Sequence, residues 1–468
     1  MSKGYFTRAI IFSFVAISLF GACRKRDGAT LPDNLIFFNS TAQGITASEN
    51  SITIKLKLSR GVNADVPVVV NLVPTNLVYG TDYTTVPAAT SNTINAIVPS
   101  GSDEASITIN KVPGTLFDGN EQLIFDIYSS GSPVLIGSTR EFTLSFAELI
   151  SASSSYIVNG GGATYPNKVF IDLSANRQTG VLRTNWDLGF YCPAGTDSFR
   201  VILNNTVGMM AKQINKNDLN AVTATDTLGF GADVAYSPFA PFPAQMAWVD
   251  FYDGDITKTA IAPVSATASD NKVYIVNRGS GVGTPAPARG WKKIRVIRNA
   301  NGGYTLQHAD IAATTFTSID IPKDDAFFFK YVSLDNGLVN VEPEKTKWDI
   351  AWTYGSYFTN FGGGDVPYLF QDLIVQNRNV LVAKVLTATI AFATFDSTNL
   401  AAQTFSKVQT TIGSDWRKTT PSPAAVNADR YYIIRDGNNN YYKLRFTALT
   451  DGGVRGFPAV EYVLVKKG

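Results

Sequence analysis

The 468-residue chain is poor in side chains that do chemistry. It has one histidine, His308, two cysteines, Cys23 and Cys192, and beyond Met1 only Met209, Met210 and Met246 as thioethers. Imidazole, thiolate and thioether ligate transition metals, and the first two also serve nucleophilic catalysis. A Ser-His-Asp or Cys-His relay has to run through His308, and nothing around "YTLQHADI" supplies a nucleophile elbow. There Tyr304, Leu306 and His308 share one strand face, so the ordinary reading of His308 is a half-buried strand residue. The "GMMA" pair, Met209 and Met210, lines a loop pocket or fills an irregular core gap. Paired carboxylates of the glycosidase kind meet only in space and leave no mark in sequence. "TNFGGGDVPY" (359–368) lacks the Lys-Ser/Thr of a phosphate loop and reads as a mobile loop over a pocket. "GSGVG" (279–283) misses dinucleotide spacing and reads as a surface loop. Catalysis is the class these residues support least, and the chain is expected not to be an enzyme.

What positions these groups is a duplicated β framework. "RTNWDLGF" (183–190) is answered by "KTKWDIAW" (345–352), and together they hold three of only six tryptophans. Lys168 lies 18 residues before Trp186, and Lys330 lies 18 before Trp348. Both intervals hold a strand and a polar turn, "SANRQTG" or "LDNGLV". Downstream, "KVYIVNR" (272–278) and "WKKIRV" (291–296) are matched by "RYYIIRD" (430–436) and "YYKLRF" (441–446). Four landmarks in one order at nearly one spacing define an internal repeat, with modules expected at 151–322 and 323–468. Within it, Trp186, Leu188 and Phe190 share a face, as do Trp348, Ile350 and Trp352. Asp187 and Asp349 then point the other way, to cap a turn or pair with Lys or Arg.

Composition agrees with a β protein. Aromatics make up 12% and there are 38 glycines. The 40 basic and 38 acidic residues fall to 38 each once Lys3 and Arg8 are removed. No basic cluster of the kind that nucleic acid requires is present. Those two cations precede "AIIFSFVAISLF" (9–20), an apolar run too short to span a bilayer, which takes ~20 residues. It matches the core of a secretory signal at 1–22. "FGAC" then resembles a bacterial lipobox, which makes Cys23 the lipidated first residue of the mature chain and 23–32 a tether. Three acyl chains would hold it firmly to a membrane. Cys192 is left alone, so no intramolecular disulfide braces the fold.

Residues 33–148 read as a β-sandwich. "SITIKLKLS" (51–59) alternates strictly, with Ile52, Ile54, Leu56 and Leu58 on one face. "EASITIN" (104–110) and "EFTLSF" (141–146) do the same between Gly, Pro, Asn and Asp clusters. The strings "YGTDYTTVP", "VPSGSDEASITI" and "FDGNEQLIFDI" resemble the Calx-beta family of sandwich domains. Some members of that family bind Ca²⁺ near one end, which implies Glu49, Asp82, Asp118 and Glu121 as the matching carboxylates. The alternative for Asp82 and Asp118 is turn chemistry, which Asp favours. A Ser-rich linker, "ISASSS" (150–155), follows.

Beyond it, "KYVSLDNGLVNVEPEKTKWDIAWTYGSYFTNFGGG" and "RYYIIRDGNNNYYKLRFTAL…GFPAVEYVLV" resemble the HmuY-like lipoproteins of Gram-negative bacteria. The first module resembles a more diverged copy, and together they cover about 300 residues. The resemblance implies a mainly β fold of two tandem, mostly antiparallel modules behind the sandwich. It also implies an outer-membrane, lipid-anchored protein that captures haem or another apolar ligand and passes it to an outer-membrane receptor. Family haem sites use two axial His or Met side chains. A single histidine excludes a bis-His site here, leaving His308, Met209 and Met210 as the candidate ligands and tyrosines as the only candidates after residue 323. The aromatic runs "FFFKY", "WTYGSYFTNF" and "YSPFAPFPAQMAW" could line an apolar cleft or fill a β core. The competing reading is a non-catalytic interaction or adhesion lipoprotein that binds no haem.

Overall fold

The computed structural model describes residues 31–46, 49–113, 115, 117, 121–146, 151–195, 199–234 and 243–468. Cys23, with the signal and most of the tether, and Asp118 lie outside these residues. The chain is mainly β and divides into two compact units near residue 147.

The first unit is a sandwich. One sheet runs Tyr83–Val86, Glu104–Lys111, Ser51–Leu58, Leu35–Phe38 and Leu135–Ile136; the facing sheet contains Glu141–Ser145, Gln122–Ser130, Val66–Thr75 and Thr93–Val98. Period-2 alternation decides which side chains go inside. Ile52, Ile54, Leu56 and Leu58 are buried while Ser51, Thr53 and Lys55 are exposed. The rings of Phe38, Phe125 and Phe142 meet between the sheets, with centroids 5.6–6.5 Å apart.

The second unit stacks four antiparallel sheets. An outer sheet has the order Ser153–Ile157, Ala459–Lys466, Tyr441–Ala448, Arg430–Arg435, Leu381–Leu386. An inner sheet follows, Arg177–Leu182, Asn167–Asp172, Ile350–Asn360, Asp365–Gln376. The second inner sheet is Val201–Leu203, Leu188–Tyr191, Phe329–Ser333, Gly337–Val339. The second outer sheet is Met210–Ile214, Val273–Asn277, Trp291–Arg298, Tyr304–Asp310, Thr317–Ile321. Three apolar layers bind them: Ile171, Trp352, Trp416 and Tyr442 in the first, Phe170, Trp186, Tyr331 and Trp348 in the middle, and Leu188, Phe190, Ile294 and Leu306 in the last.

The two repeats are interlocked rather than set side by side. The hairpin of the first repeat pairs with the Trp-Asp strand of the second, Phe170 opposite Ala351 and Ile171 opposite Ile350. Reciprocally, the hairpin of the second pairs with the Trp-Asp strand of the first, Leu188 opposite Val332 and Gly189 opposite Tyr331. The edge strands cross over as well: Ser153–Ile157 completes the sheet of the second repeat, and Thr317–Ile321 completes that of the first. By this symmetry the second repeat begins at about residue 317.

The motif aspartates fasten the exchange. Asp187 is fully buried. It accepts two bonds from Arg278 at 2.9 and 3.0 Å, pairs with Arg289 at 2.9 Å, and accepts the Leu334 N–H of the other repeat at 2.8 Å. Asp349 accepts the Leu173 N–H, also at 2.8 Å, from the opposite direction. An asparagine repeats the logic one strand later. Asn204 bonds the carbonyls of Arg183 and Trp186, and Asn377 those of Lys345 and Trp348. Both tryptophans precede the strand proper, so they turn into the middle layer while Leu188 and Ile350 face the outer ones. The small residue of the motif is a spatial requirement: a Cβ on Gly189 would stand 2.7 Å from Ile202 and 3.1 Å from Tyr331.

Removing one partner of a buried ion pair strands the other. Asp187→Ala is expected to cost about 3–5 kcal/mol, because Arg278 and Arg289 lose their buried acceptor. Asp349→Ala deletes the acceptor of one buried N–H and should cost about 1–3 kcal/mol on that account. Urea unfolding of the protein lacking residues 1–23 checks both values and their order.

Candidate ligand-binding site

The second Trp-Asp strand runs on into a long hairpin, Ile350–Asn360 with Asp365–Gln376, paired out to Asn360 opposite Asp365. The Gly-rich stretch expected to be a mobile loop is therefore mostly strand. Its turn is held by Asn360, whose side chain bonds Asp365 and accepts the Gly362 N–H. The pairing shifts register between Thr353 and Gly355. On the return strand Asp372 takes a left-handed φ of 55° and is fully buried. Its carboxylate accepts from Arg455 and lies 4.0 Å from the Arg417 Nε. Its carbonyl accepts the Trp416 indole N–H at 2.9 Å, and Arg417 donates to the neighbouring Gln371 carbonyl.

These arginines open onto a cleft of about 490 Å³ with Arg183, Tyr354, Tyr368 and Phe370 in its wall. Both repeats contribute, since Arg183, Val207 and Ser280 come from the first. Arg183 is fixed by three carbonyls, Tyr165, Thr206 and Gly281, at 2.7–3.2 Å. It lies 4.8 Å from the centre of the Tyr354 ring, which in turn stacks on Tyr165. Burial pushes the Tyr354 phenol up, with Arg183 opposing. Desolvation also raises the Asp372 carboxyl, while Arg455 and Arg417 hold it down. Aromatic walls, phenols and three guanidinium groups suit a flat, largely apolar ligand carrying anionic substituents.

The expected ligands lie elsewhere. His308 is a buried residue of Tyr304–Asp310, opposite Ile294 and Thr317. Met209 packs with Leu188 and Val276, and Met210 with Val234 and Val249, both buried. The strand of Met210 and that of His308 are separated by two others in the same sheet, three spacings of ~4.8 Å. The three side chains are not brought together on one iron, and none lines the cleft. Cys192 is buried, its thiol pushed up by desolvation.

In the sandwich, Glu49, Asp82 and Glu121 do gather at one end. The Lys111 N–H bonds the Asn50 carbonyl and Lys111 pairs with Tyr83, whose ring meets Phe146, a residue bonded to the Glu121 carbonyl. The Glu49 carboxylate accepts from the Thr46 N–H and hydroxyl, and Asp82 accepts the Val78 N–H, both turn-fixing bonds. The Lys111 ammonium bonds the Thr46 carbonyl among them and interacts with Glu49. No group of three metal-ligating side chains is found among the described residues.

An aromatic, cation-bearing cleft on a layered antiparallel scaffold defines a ligand-binding β protein. The chain belongs to the HmuY protein family, which it matches over residues 164–462. Among solved structures it is similar to the apo form of the Calx CBD1 domain, at 12% identity over 25% of this chain and 96% of that one, TM-score 0.22. A protein from Bacteroides vulgatus described as HmuY-like and heme-binding shares 10% identity over 68% of this chain and 94% of its own, TM-score 0.16. One from Bacteroides ovatus described as carbohydrate-binding shares 12% over 73% and 98%, TM-score 0.18. No curated protein matches.

Sequence reasoning flagged Tyr354 within an aromatic run but missed Arg183, Arg417 and Arg455. Their convergence depends on pairings between distant segments and leaves no local pattern. His308, as the sole histidine, reports its own site cleanly. Desolvation and then Lys292 lower its pKa, so the folded imidazole is expected to titrate below the ordinary ~6.5. The unfolded chain then binds the proton at higher pH, and stability falls as pH drops through about 6.5. Proton NMR of the single imidazole resonance checks this, and a midpoint at or above 6.5 contradicts the placement.

Proposed function

We propose that this protein is a lipid-anchored cell-envelope binding protein that captures a flat, anionic, largely apolar ligand in the Tyr354–Tyr368–Phe370 cleft. Haem is the ligand that the family suggests, and delivery to an outer-membrane receptor is the role. The anchor is Cys23, and no helix among the described residues is long and apolar enough to cross a membrane. The observation that carries the reading is the cleft itself, with aromatic rings and three arginines in its wall. Its donor set fits a ferric porphyrin through phenolate, since tyrosine is a legitimate ligand of ferric haem iron. Tyr354 and Tyr368 would hold the metal, and Arg417 and Arg455 would meet the carboxylates. A bound haem would supply a chromophore and a redox metal, while the protein's part is to orient it and exclude water. Calcium is no part of this reading, because Lys111 already sits beside Glu49 and Asp82 is spent on the Val78 N–H.

The second reading, an interaction lipoprotein without haem, is favoured by the burial of His308, Met209 and Met210 away from the cleft. Haemin titration followed by absorbance separates the two. The protein lacking residues 1–23 is expected to give a saturable one-to-one Soret shift with ferric haemin. Tyr354→Phe with Tyr368→Phe should abolish it, whereas His308→Ala and Met209→Ala/Met210→Ala should leave it. No saturable shift at micromolar haemin sinks the haem reading and leaves the interaction module.

A further inference from the structure

A second cavity, of about 90 Å³, lies between the two inner sheets where the repeats interlock. It is lined by Lys168, Trp186, Asp250, Glu342, Trp348 and Arg378 among others. What distinguishes it is a surplus of donors. The Lys168 ammonium rests over the Phe170 ring at 4.8 Å, and the Arg378 guanidinium lies 5.0 Å from the Phe329 ring centre. Among the described residues neither head has an ion-pair or side-chain hydrogen-bond acceptor, and the Arg378 Nε is buried without a partner. The indole N–H groups of Trp186 and Trp348 are buried and unpartnered as well.

The carboxylates that line the same cavity attract these cations, Glu342 both of them and Asp250 Arg378, but hydrogen-bond neither. Asp250 uses one oxygen on the Ala260 N–H at 2.9 Å and the other on the Leu203 N–H at 2.7 Å. Glu342 accepts the Phe329 N–H at 2.8 Å and the Tyr331 hydroxyl at 3.0 Å. Both acids thus spend their bonds on backbone N–H groups and the Tyr331 hydroxyl, which leaves the donor atoms of the cations free. Desolvation pushes Lys168 down to about 8, Asp250 up to about 7, and Glu342 upward against the pull of Lys168. An unpaired buried cation is costly, and native structures leave few such groups unanswered.

We propose that this cavity is a binding site for a small oxyanion, of the carboxylate, nitrate or phosphate class, held by Lys168 and Arg378 with the paired tryptophan N–H groups in support. The volume suits it. Counted as room for the centres of water-sized spheres, of which one water needs ~10–15 Å³, about 90 Å³ admits several waters or one small oxyanion. Lys168 comes from one repeat and Arg378 from the other, so a bound oxyanion fastens the interlocked halves. The site stands apart from the cleft and does not depend on what the cleft binds.

The test uses the protein lacking residues 1–23, with sodium acetate, nitrate and phosphate each titrated against sodium chloride at constant ionic strength. Thermal unfolding and calorimetry are the readouts, because an anion that binds only the folded state raises the midpoint along a saturable curve. At least one of the three oxyanions is expected to give such a curve. Lys168→Met and Arg378→Met should each weaken it at least about tenfold. These variants should fold, since neither head makes a hydrogen bond that is lost, methionine matches much of the chain length, and the other cation stays beside Glu342. Lys55→Met, on the exposed face of the sandwich, serves as the control and should leave the curve unchanged. A rise that is linear in salt and equal in all variants, or no rise with any oxyanion, overturns the proposal.

Discussion

The buried carboxylate of Asp187 is the constraint on which the second unit depends. It sits at 0% exposure with two arginines and one backbone N–H converging on it. A charge taken that far from water is tolerated only when its lone pairs are filled with good geometry. Here the filling groups come from both repeats, so satisfying the charge requires the repeats to be interlocked. Asp349 applies the same bond to the other hairpin. The two sides are not identical. At the position of Arg278 the second repeat carries Asp436, which instead organises the turn at Asn438 and Asn440. Symmetry of backbone has outlived symmetry of charge.

The layering and both cavities follow from that joint. Exchange of hairpins places Trp186 and Trp348 in one apolar layer between the inner sheets. Indole rings packed there cannot all find acceptors, which concentrates donors around the small cavity. The same exchange carries the Ile350–Asn360 hairpin past the first repeat, so that Arg183 and Ser280 meet Tyr354 and Phe370 across a cleft. The molecule then offers two spaces of different character. One is large and aromatic and suits a flat ligand; the other is small and rich in donors.

Much of the local structure was legible in the sequence, because period-2 alternation is a local signal. Ile52, Ile54, Leu56 and Leu58 read as an inward face and are one. The duplication was legible from Trp-Asp and its fixed distance to Lys168 or Lys330. The exchange was not. Periodicity says which face of a strand is apolar but not which strand it pairs with, and Phe170 opposite Ala351 is a long-range choice. Asp187 read as a turn cap or the partner of a Lys or Arg, but which arginines it meets was not legible, since they lie about ninety and a hundred residues downstream. Met209 and Met210 read as either core or ligand, and packing resolves them into two separate apolar clusters. The proposal of a lipid anchor at Cys23 comes from local sequence alone.

Interlocking is most directly tested by cutting the chain at its internal boundary. Residues 151–316 and 317–468 are produced separately, then mixed, and followed by circular dichroism, urea unfolding and size exclusion. Neither fragment is expected to unfold cooperatively alone, because each lacks the edge strand and hairpin that the other supplies. Together they should assemble one-to-one into a species with a single cooperative transition. A fragment that folds by itself as a stable monomer would contradict the account, since the repeats would then be independent modules that merely touch.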